Sequence, residues 1–157
     1  MANKQSAAAG EQVVCVNRQA RFNYFIEESY EAGLVLVGSE VKSLRDGKAN
    51  LTDSYAQIRK GEAFLINAHI SPYAGASQFN HEPKRMRKLL LHDREIERLT
   101  GKTKERGLTL VALKLYFKGG RAKVEIGLGR GKKLYDKRET LKRKMADREV
   151  ERAIKAR

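Results

Sequence analysis

The sequence predicts a mainly β fold, an antiparallel six-stranded barrel with two or three short helices and a disordered basic C-terminal tail. Short runs rich in Val, Ile, Leu, Phe and Tyr recur between Gly, Asn and Asp residues from Val13 onward. Glycine-containing dipeptides divide two of these regions into hairpins. After residue 129, large apolar side chains become sparse while Lys and Arg become frequent. We therefore divide the chain into a lead (1–12), a barrel (13–128) and a tail (129–157).

The lead is small and polar and has no aromatic side chain, so we expect it to be disordered. It lacks the apolar segment of a secretory signal. No run in the chain approaches the roughly 18 apolar residues that a membrane-spanning helix needs. The single cysteine, Cys15, lies in an apolar run and is predicted to pack as a small hydrophobic side chain. These features favour a reducing, cytoplasmic setting without membrane contact.

Several stretches have the length and composition of strands. Lys60-Gly61 lies at the centre of one stretch, and Gly119-Gly120 separates the last two, so both dipeptides predict hairpin turns. Apolar and charged side chains alternate along the last stretch, which predicts one buried and one solvated face. The stretches are 13–16, 21–28, 33–38, 54–70, 88–91, 108–117 and 121–129.

Two helices are predicted between the strands. The first begins at Ser39, a suitable N-cap, and ends near Gly47. The second covers residues 92–107, and it carries Asp93 and Glu95 near its start, where carboxylates suit the helix dipole. A closed barrel fits this pattern of elements because it leaves no exposed strand edge.

The tail carries half of the chain's excess positive charge. From Arg130 to the end there are twelve Lys or Arg and five Asp or Glu, a net charge of +7 out of +14. Its larger apolar residues recur at roughly helical spacing, but isolated helices of this length are marginal in water. We expect the tail to be unstructured alone and helical against a phosphate-rich partner. Those apolar residues are Leu141, Met145, Val150 and Ile154.

Enzymatic chemistry finds little support in the sequence. The histidines, His69, His81 and His92, match no zinc-binding spacing. The glycine-rich segment 127–131 lacks the register of a phosphate-binding loop, so we interpret it as a flexible joint. No metal, cofactor or catalytic residue is predicted, although a small nuclease or RNA modifier stays an alternative.

RNA binding is favoured because basic residues are interleaved with aromatic ones. In residues 17–25, Arg18 and Arg21 lie beside Phe22 and Tyr24. Unpaired bases stack on such rings, while Lys and Arg bind phosphates. Residues 82–91 add four cations before a predicted strand. The alternatives are an inward-facing strand for the aromatic residues and a solvated charge run for the cations.

Three segments resemble the small protein B (SmpB) family, the SsrA-binding proteins that partner transfer-messenger RNA in bacterial trans-translation. They are "NRQARFNYFIEESYEAGLVLVGSEVKSLRDGKANLTDSYA", "RKLLLHDREIERL" and "GKKLYDKRE". The resemblance extends from about Val13 to the C-terminus. One departure is Tyr135, which keeps an aromatic ring where many relatives have histidine but lacks an imidazolium.

The resemblance implies a six-stranded barrel of the oligonucleotide-binding (OB) type. The barrel would bind the tRNA-like domain of transfer-messenger RNA. The tail would enter the empty mRNA channel of a stalled ribosome, beyond the decoding centre, and fold there as a helix against small-subunit RNA. Elongation factor Tu would be a partner through the RNA complex, and the protein would act as a monomer.

The residues and the resemblance together give two sets of candidate contacts. In an RNA face, the acidic Glu31 would accept from a base amino group or orient an Arg. The alternative function is a generic basic ribosome-associated or nucleic-acid-binding structural protein. The RNA-binding candidates are Arg18, Arg21, Phe22, Tyr24, Glu31, Lys42, Arg45, Asn50, Lys84, Arg85, Arg87, Leu90, His92 and Lys123. The ribosome-binding candidates are Gly131, Lys132, Lys133, Tyr135, Asp136, Lys137, Arg138, Lys142 and Arg143.

Overall fold

A computed structural model describes residues 10–76, 80–105 and 107–156. The elements follow one another along the chain as β1 (Glu11–Val16), α1 (Arg18–Asn23), β2 (Tyr24–Leu34), α2 (Gly38–Arg45), β3 (Ala49–Asn50), β4 (Tyr55–Arg59), β5 (Glu62–Ile66), β6 (His69–Ile70), β7 (Arg87–Leu90), α3 (Asp93–Thr103), β8 (Leu108–Lys118), β9 (Arg121–Gly131) and α4 (Leu134–Lys155). No helix within the described ranges is both long enough and apolar enough to span a membrane.

Six antiparallel strands close into a ring, which confirms the predicted barrel. Their order is β8-β4-β5-β7-β2-β9, and β9 pairs back onto β8. The closing seam is long, since β8 and β9 pair from Leu108↔Arg130 to Lys118↔Arg121. β4 pairs with Leu110 and Val111 of β8, and β1 pairs with the later part of β8, residues 114–118. β3 and β6 form a separate pair.

The core lies inside this ring and is built mainly from Leu, Ile, Val and Ala. Leu65, Leu89 and Ile126 come from three different ring strands and are fully buried. Leu44 of α2 and Leu99 of α3 are also buried, so the two helices cover the barrel with their apolar faces. Burial of these side chains is the main force that stabilises the fold.

Both hairpin turns were predicted correctly. Lys60 and Gly61 have φ values of 51° and 76°, and Gly119 and Gly120 have 57° and 76°. Positive φ at both central residues is the requirement of the tight turn that matches strand twist. These local signals therefore set the register of β4 with β5 and of β8 with β9.

The predicted strand 21–28 is wrong over its first part. Asn17 accepts a hydrogen bond from the Ala20 N–H at 3.2 Å and caps the short helix α1. The cap was the signal that we missed, because side-chain oxygens of Asn satisfy the free N–H groups at a helix start. The strand begins only at Tyr24 and continues to Leu34, so one long strand replaces two predicted ones.

Other predicted boundaries also need correction. β1 begins at Glu11, two residues earlier than expected, and residues 1–9 of the lead lie outside the described part of the chain. α2 is capped at Val37 and not at Ser39, whose hydroxyl instead contacts Nδ1 of His81 at 2.9 Å.

Residues 127–131 are not a flexible joint, because β9 continues through them and pairs with both β2 and β8. Two glycines in this segment permit close approach of neighbouring side chains. A Cβ at Gly127 would lie 2.8 Å from Cδ1 of Leu113, and a Cβ at Gly129 would lie 3.0 Å from Cβ of Tyr24. Glycine is therefore a packing requirement of the barrel seam.

Gly127→Ala is expected to destabilise the protein by about 1–3 kcal/mol, because the added methyl overpacks buried Leu113. Chemical denaturation would measure this loss. Gly101→Ala is the matched control, since a Cβ there meets nothing within 4 Å and lies in helix α3. The control should gain up to about 1 kcal/mol from helix propensity. Equal stabilities for the two variants would contradict the packing argument.

The tail forms helix α4, and none of its residues is buried. The helix meets the barrel mainly at α1. Because tertiary packing supplies most of a helix's stability in water, this exposed helix has little support from the barrel. Disorder of the free tail stays a prediction.

Candidate RNA interface

Aromatic and basic side chains meet where the tail leaves the barrel. The Lys132 ammonium lies 4.9 Å from the ring centroid of Phe25, and the Lys144 ammonium lies 5.7 Å from that of Phe22. The Lys132 N–H donates to the Asn23 carbonyl at 2.8 Å, which extends the pairing of Gly131 with Tyr24 by a further residue. Phe22 and Phe25 therefore form an aromatic cluster with lysines of the tail. Tyr24 is not part of these contacts, because it packs half-buried against Ala20, Val111 and Leu113.

Helix α1 adds cations to this cluster. Arg18 and Arg21 are both exposed to solvent. Arg21 lies 3.8 Å from Glu125 on β9, an exposed pairing that contributes little energy and leaves the guanidinium accessible. Three of the predicted residues, Arg18, Arg21 and Phe22, thus lie on α1, and Tyr24 follows directly at the start of β2.

Glu31 is ionised and already engaged with the protein. Its carboxylate accepts hydrogen bonds from the Tyr116 hydroxyl at 2.5 Å and from the Lys118 ammonium at 3.3 Å. The Tyr116 hydrogen bond holds the pKa of Glu31 below its ordinary value, while burial and the Glu31 carboxylate raise the pKa of Tyr116. Lys123 of β9 is partly exposed, and in the strand pairing it lies opposite Gly33, two residues after Glu31 on β2.

Leu90 and His92 lie at the edge between β7 and α3. Leu90 is 54% exposed and lies opposite Gly33 in the pairing of β7 with β2. A Cβ added at Gly33 would lie 3.2 Å from the Cβ of Leu90. His92 is exposed at the N-cap of α3, and its N–H donates to Glu95 at 3.0 Å. An exposed leucine next to an exposed imidazole can pack against an unpaired base.

The ion pair between Arg98 and Glu28 ties α3 to β2. The two side chains approach to 2.5 Å, and the Tyr30 hydroxyl donates to Glu28 at 2.6 Å. The hydrogen bonds from Arg98 and Tyr30 lower the pKa of Glu28 to about 2. Sequence reasoning missed this pair, because its members are 70 residues apart.

Arg87 was predicted to bind RNA, and this prediction is wrong. Its side chain is fully buried and ion-paired with Glu40, and it also donates to the Ala68 carbonyl at 2.8 Å and the Pro83 carbonyl at 3.1 Å. Burial lowers the pKa of Arg87, although the Glu40 carboxylate opposes that effect. A guanidinium with these partners supports the fold and does not face a ligand.

The remaining barrel candidates lie on the side of α2 and the loop after β6. Lys42 and Arg45 are exposed on α2, and the Lys42 ammonium is 5.5 Å from the ring centroid of Tyr73. Lys84 is exposed, whereas the Arg85 guanidinium forms an ion pair with the Glu40 carboxylate at 2.6 Å. Exposed Asn50 accepts from the Thr52 N–H at 2.8 Å. None of these contacts involves the aromatic cluster at α1.

The tail candidates follow directly from β9. Lys133 caps α4, and its N–H donates to Asp136 at 3.2 Å. Tyr135 is 71% exposed, so its ring is free to stack. The other tail candidates, Lys137, Arg138, Lys142 and Arg143, all lie on α4.

The described residues contain no cluster of three His, Cys, Asp or Glu side chains that could hold a metal ion. The arrangement is instead that of a binding surface, in which exposed cations surround exposed aromatic and aliphatic side chains. Such a surface can bind phosphates and stack unpaired bases.

The comparisons with known proteins agree with this description. The sequence profile of the SmpB protein family matches residues 14–156. An SsrA-binding protein of Syntrophobacter fumaroxidans is 61% identical over 155 residues, which cover 99% of this chain and 96% of that protein. An SsrA-binding protein of Geobacillus thermodenitrificans is 61% identical over 145 residues, covering 92% and 94%.

A solved structure is also similar in sequence and fold. It is described as "tmRNA-SmpB: a journey to the center of the bacterial ribosome", and its matching chain is 51% identical with a TM-score of 0.67. The match covers 81% of this chain and 93% of the other. Sequence, fold and the length of the matches agree, and this chain belongs to the SmpB protein family.

Proposed function

We propose that this protein is an RNA-binding adaptor of trans-translation, which binds the tRNA-like domain of transfer-messenger RNA and delivers it to stalled ribosomes. The observation that carries the proposal is the family match over residues 14–156, which spans both the barrel and the basic tail. The relatives are SsrA-binding proteins, and the description of the similar solved structure names SmpB together with tmRNA and the bacterial ribosome.

In this proposal the barrel and the tail have separate roles. The barrel binds the RNA through the exposed side chains of α1, β2 and the β7–α3 edge. The tail enters the mRNA channel and binds ribosomal RNA through its net charge of +7. Elongation factor Tu joins through the RNA, and the protein acts as a cytoplasmic monomer without chemistry of its own.

Recovery of bound nucleic acid from cells tests the proposed function. A tagged full-length chain should co-purify with one abundant structured RNA, the transfer-messenger RNA. Bulk ribosomal RNA or DNA would instead favour a generic structural protein. Cleavage or a mass change of the RNA after incubation with the protein and Mg²⁺ would show an enzyme.

Salt dependence tests the contribution of phosphate contacts. The logarithm of affinity for the tRNA-like RNA should fall linearly with the logarithm of salt concentration, and Arg18→Ala should reduce the slope by about 0.7–0.9. Fluorescence anisotropy at several salt concentrations measures both slopes. Arg59→Ala is the control, because this exposed residue lies on β4 and bonds only to Gln57 among the described side chains. A slope that is unchanged by Arg18→Ala would remove Arg18 from the phosphate contacts.

A further inference from the structure

A small polar cleft of about 290 Å³ lies beside α1, between the turn that precedes β4 and the start of β8. Tyr24 and Tyr55 both line it, and Tyr55 is 41% exposed. None of the contacts that define the aromatic cluster of Phe22, Phe25 and the tail lysines involves Tyr55. The cleft is therefore a feature separate from that cluster.

The buried polar side chains of the cleft, Asn17 and Ser54, already have hydrogen-bond partners within the protein. Asn17 donates to the Leu51 carbonyl at 3.0 Å and the Ala112 carbonyl at 2.9 Å, and it accepts from the Ala20 N–H. The Ser54 hydroxyl donates to Leu51 as well, at 2.5 Å. These buried groups have their hydrogen bonds within the protein, so they shape the cleft and do not bind a ligand.

The rim of the cleft is different, because its polar side chains have no partners among the described residues. This holds for the amides of Gln19 and Asn23, the carboxylate of Asp53 and the hydroxyls of both tyrosines, Tyr24 and Tyr55. Asp53 has a φ of 63°, and Asn67 donates to its carbonyl at 3.2 Å. Asp tolerates this left-handed conformation, which fixes the backbone of the turn at the rim.

We propose that this cleft binds one unstacked base of an RNA ligand and that guanine is the preferred base. The inference rests on the proposed function and names a base-binding site within it. Tyrosine rings bind the faces of bases by stacking. The exposed Arg18, which precedes Gln19 on α1, can bind the phosphate of the same nucleotide.

The carboxylate of Asp53 selects guanine because it can only accept hydrogen bonds. The pairing edge of guanine offers two adjacent donors, N1–H and the N2 amino group. The edges of adenine, cytosine and uracil present a donor next to an acceptor, so each would place an acceptor against the carboxylate. The amides of Gln19 and Asn23 can donate to O6 of guanine.

Titration of the full-length, ¹⁵N-labelled protein with nucleoside monophosphates tests the proposal by NMR. GMP should shift the amide signals of Gln19, Asn23 and Tyr55. Inosine monophosphate lacks the N2 amino group and should bind about 10-fold more weakly. Asp53→Asn should weaken the binding of GMP by a similar factor. The same substitution should improve the binding of xanthosine monophosphate, which carries a carbonyl in place of that amino group.

The swap of base preference is a result that a purely structural role of Asp53 would not produce. Asn tolerates positive φ as Asp does, so Asp53→Asn should keep the fold. Asp46→Asn is the matched control, since Asp46 is an exposed carboxylate at the end of α2 and should leave every affinity unchanged.

Equal affinity for GMP and inosine monophosphate, an unchanged preference in Asp53→Asn, or no shifts at the cleft would each overturn the proposal. If tRNA-like RNA still binds in any of these cases, the proposed function survives and only the cleft assignment fails. Base-selective binding of GMP by a chain that does not bind the tRNA-like RNA would support the cleft and overturn the proposed function.

Discussion

Glu40→Ala is expected to reduce the free energy of unfolding by about 3–5 kcal/mol, because it leaves a buried guanidinium without its counter-charge. Glu40 and Arg87 have side chains that are 0% exposed. Arg85 lies 2.6 Å from the same carboxylate, and the Val37 N–H donates to it at 2.9 Å. The carboxylate therefore holds β7, the loop before β7 and the start of α2 together. Urea denaturation followed by circular dichroism measures the loss.

Glu62→Ala provides the control for this prediction. Glu62 pairs with Lys88 at 3.4 Å, but both side chains are about half exposed. Exposed pairs of this kind contribute about 0–1 kcal/mol. If the two variants lose the same stability, Glu40 does not compensate a buried charge, and the role that we assign to it is wrong.

The pH dependence of stability, compared between the wild type and Glu40→Gln, separates the contribution of the Glu40 charge from that of its side-chain shape. Burial alone would raise the pKa of Glu40, but hydrogen bonds from Arg85, the Val37 N–H and Arg87 outweigh it and lower the pKa. A lowered folded-state pKa stabilises the protein fully above the unfolded pKa of about 4.3, and this stabilisation is lost as the pH falls through the folded value. The stability advantage of the wild type over Glu40→Gln should therefore be largest near neutral pH and shrink in acid.

The barrel could be predicted from the sequence because its signals are local. Each hairpin turn is specified by two adjacent residues, Lys60-Gly61 and Gly119-Gly120. The alternation of apolar and charged residues along β9 indicates which face of that strand is buried. Helix α1 was missed because six residues are too few to show helical periodicity, and only the cap at Asn17 distinguished it from a strand.

The error at Arg87 has a similar cause. Residues 84–88 look like a single basic run, but β7 alternates, so Arg87 and Leu89 point inward while Lys88 and Leu90 point outward. The strand period predicts this division once the register is known. The partner Glu40 could not be predicted, since 47 residues separate the two and only the closed barrel brings them together.

The aromatic cluster could be predicted in composition but not in its partners. The sequence places Phe22 and Tyr24 beside arginines, whereas in the structure Phe25 and Phe22 contact Lys132 and Lys144, more than 100 positions later in the numbering. Pairing of β9 with β2, from Tyr24↔Gly131 to Gly33↔Lys123, brings the start of the tail to α1. Long-range strand pairing of this kind depends on the whole fold and not on any one segment.

Deletion of residues 134–157 is expected to abolish tagging of stalled chains while nearly preserving affinity for the tRNA-like RNA. No residue of α4 is buried, and β9 still ends at Gly131, so the barrel keeps its core and its pairing. Translation of an mRNA without a stop codon, with transfer-messenger RNA added, measures tagging. Anisotropy at physiological salt measures affinity. Loss of affinity after truncation would contradict the division of roles between barrel and tail.

Deletion removes charge and helix together, and Ala146→Pro separates them. Proline within a helix costs about 3 kcal/mol, but this substitution leaves the net charge of the tail unchanged. If the tail must fold as a helix in the mRNA channel, Ala146→Pro should tag stalled chains poorly and bind the RNA normally. Ala146→Gly, which weakens a helix by about 1 kcal/mol, should have an intermediate effect. Normal tagging by the proline variant would mean that the ribosome recognises the charge of the tail and not its helical form.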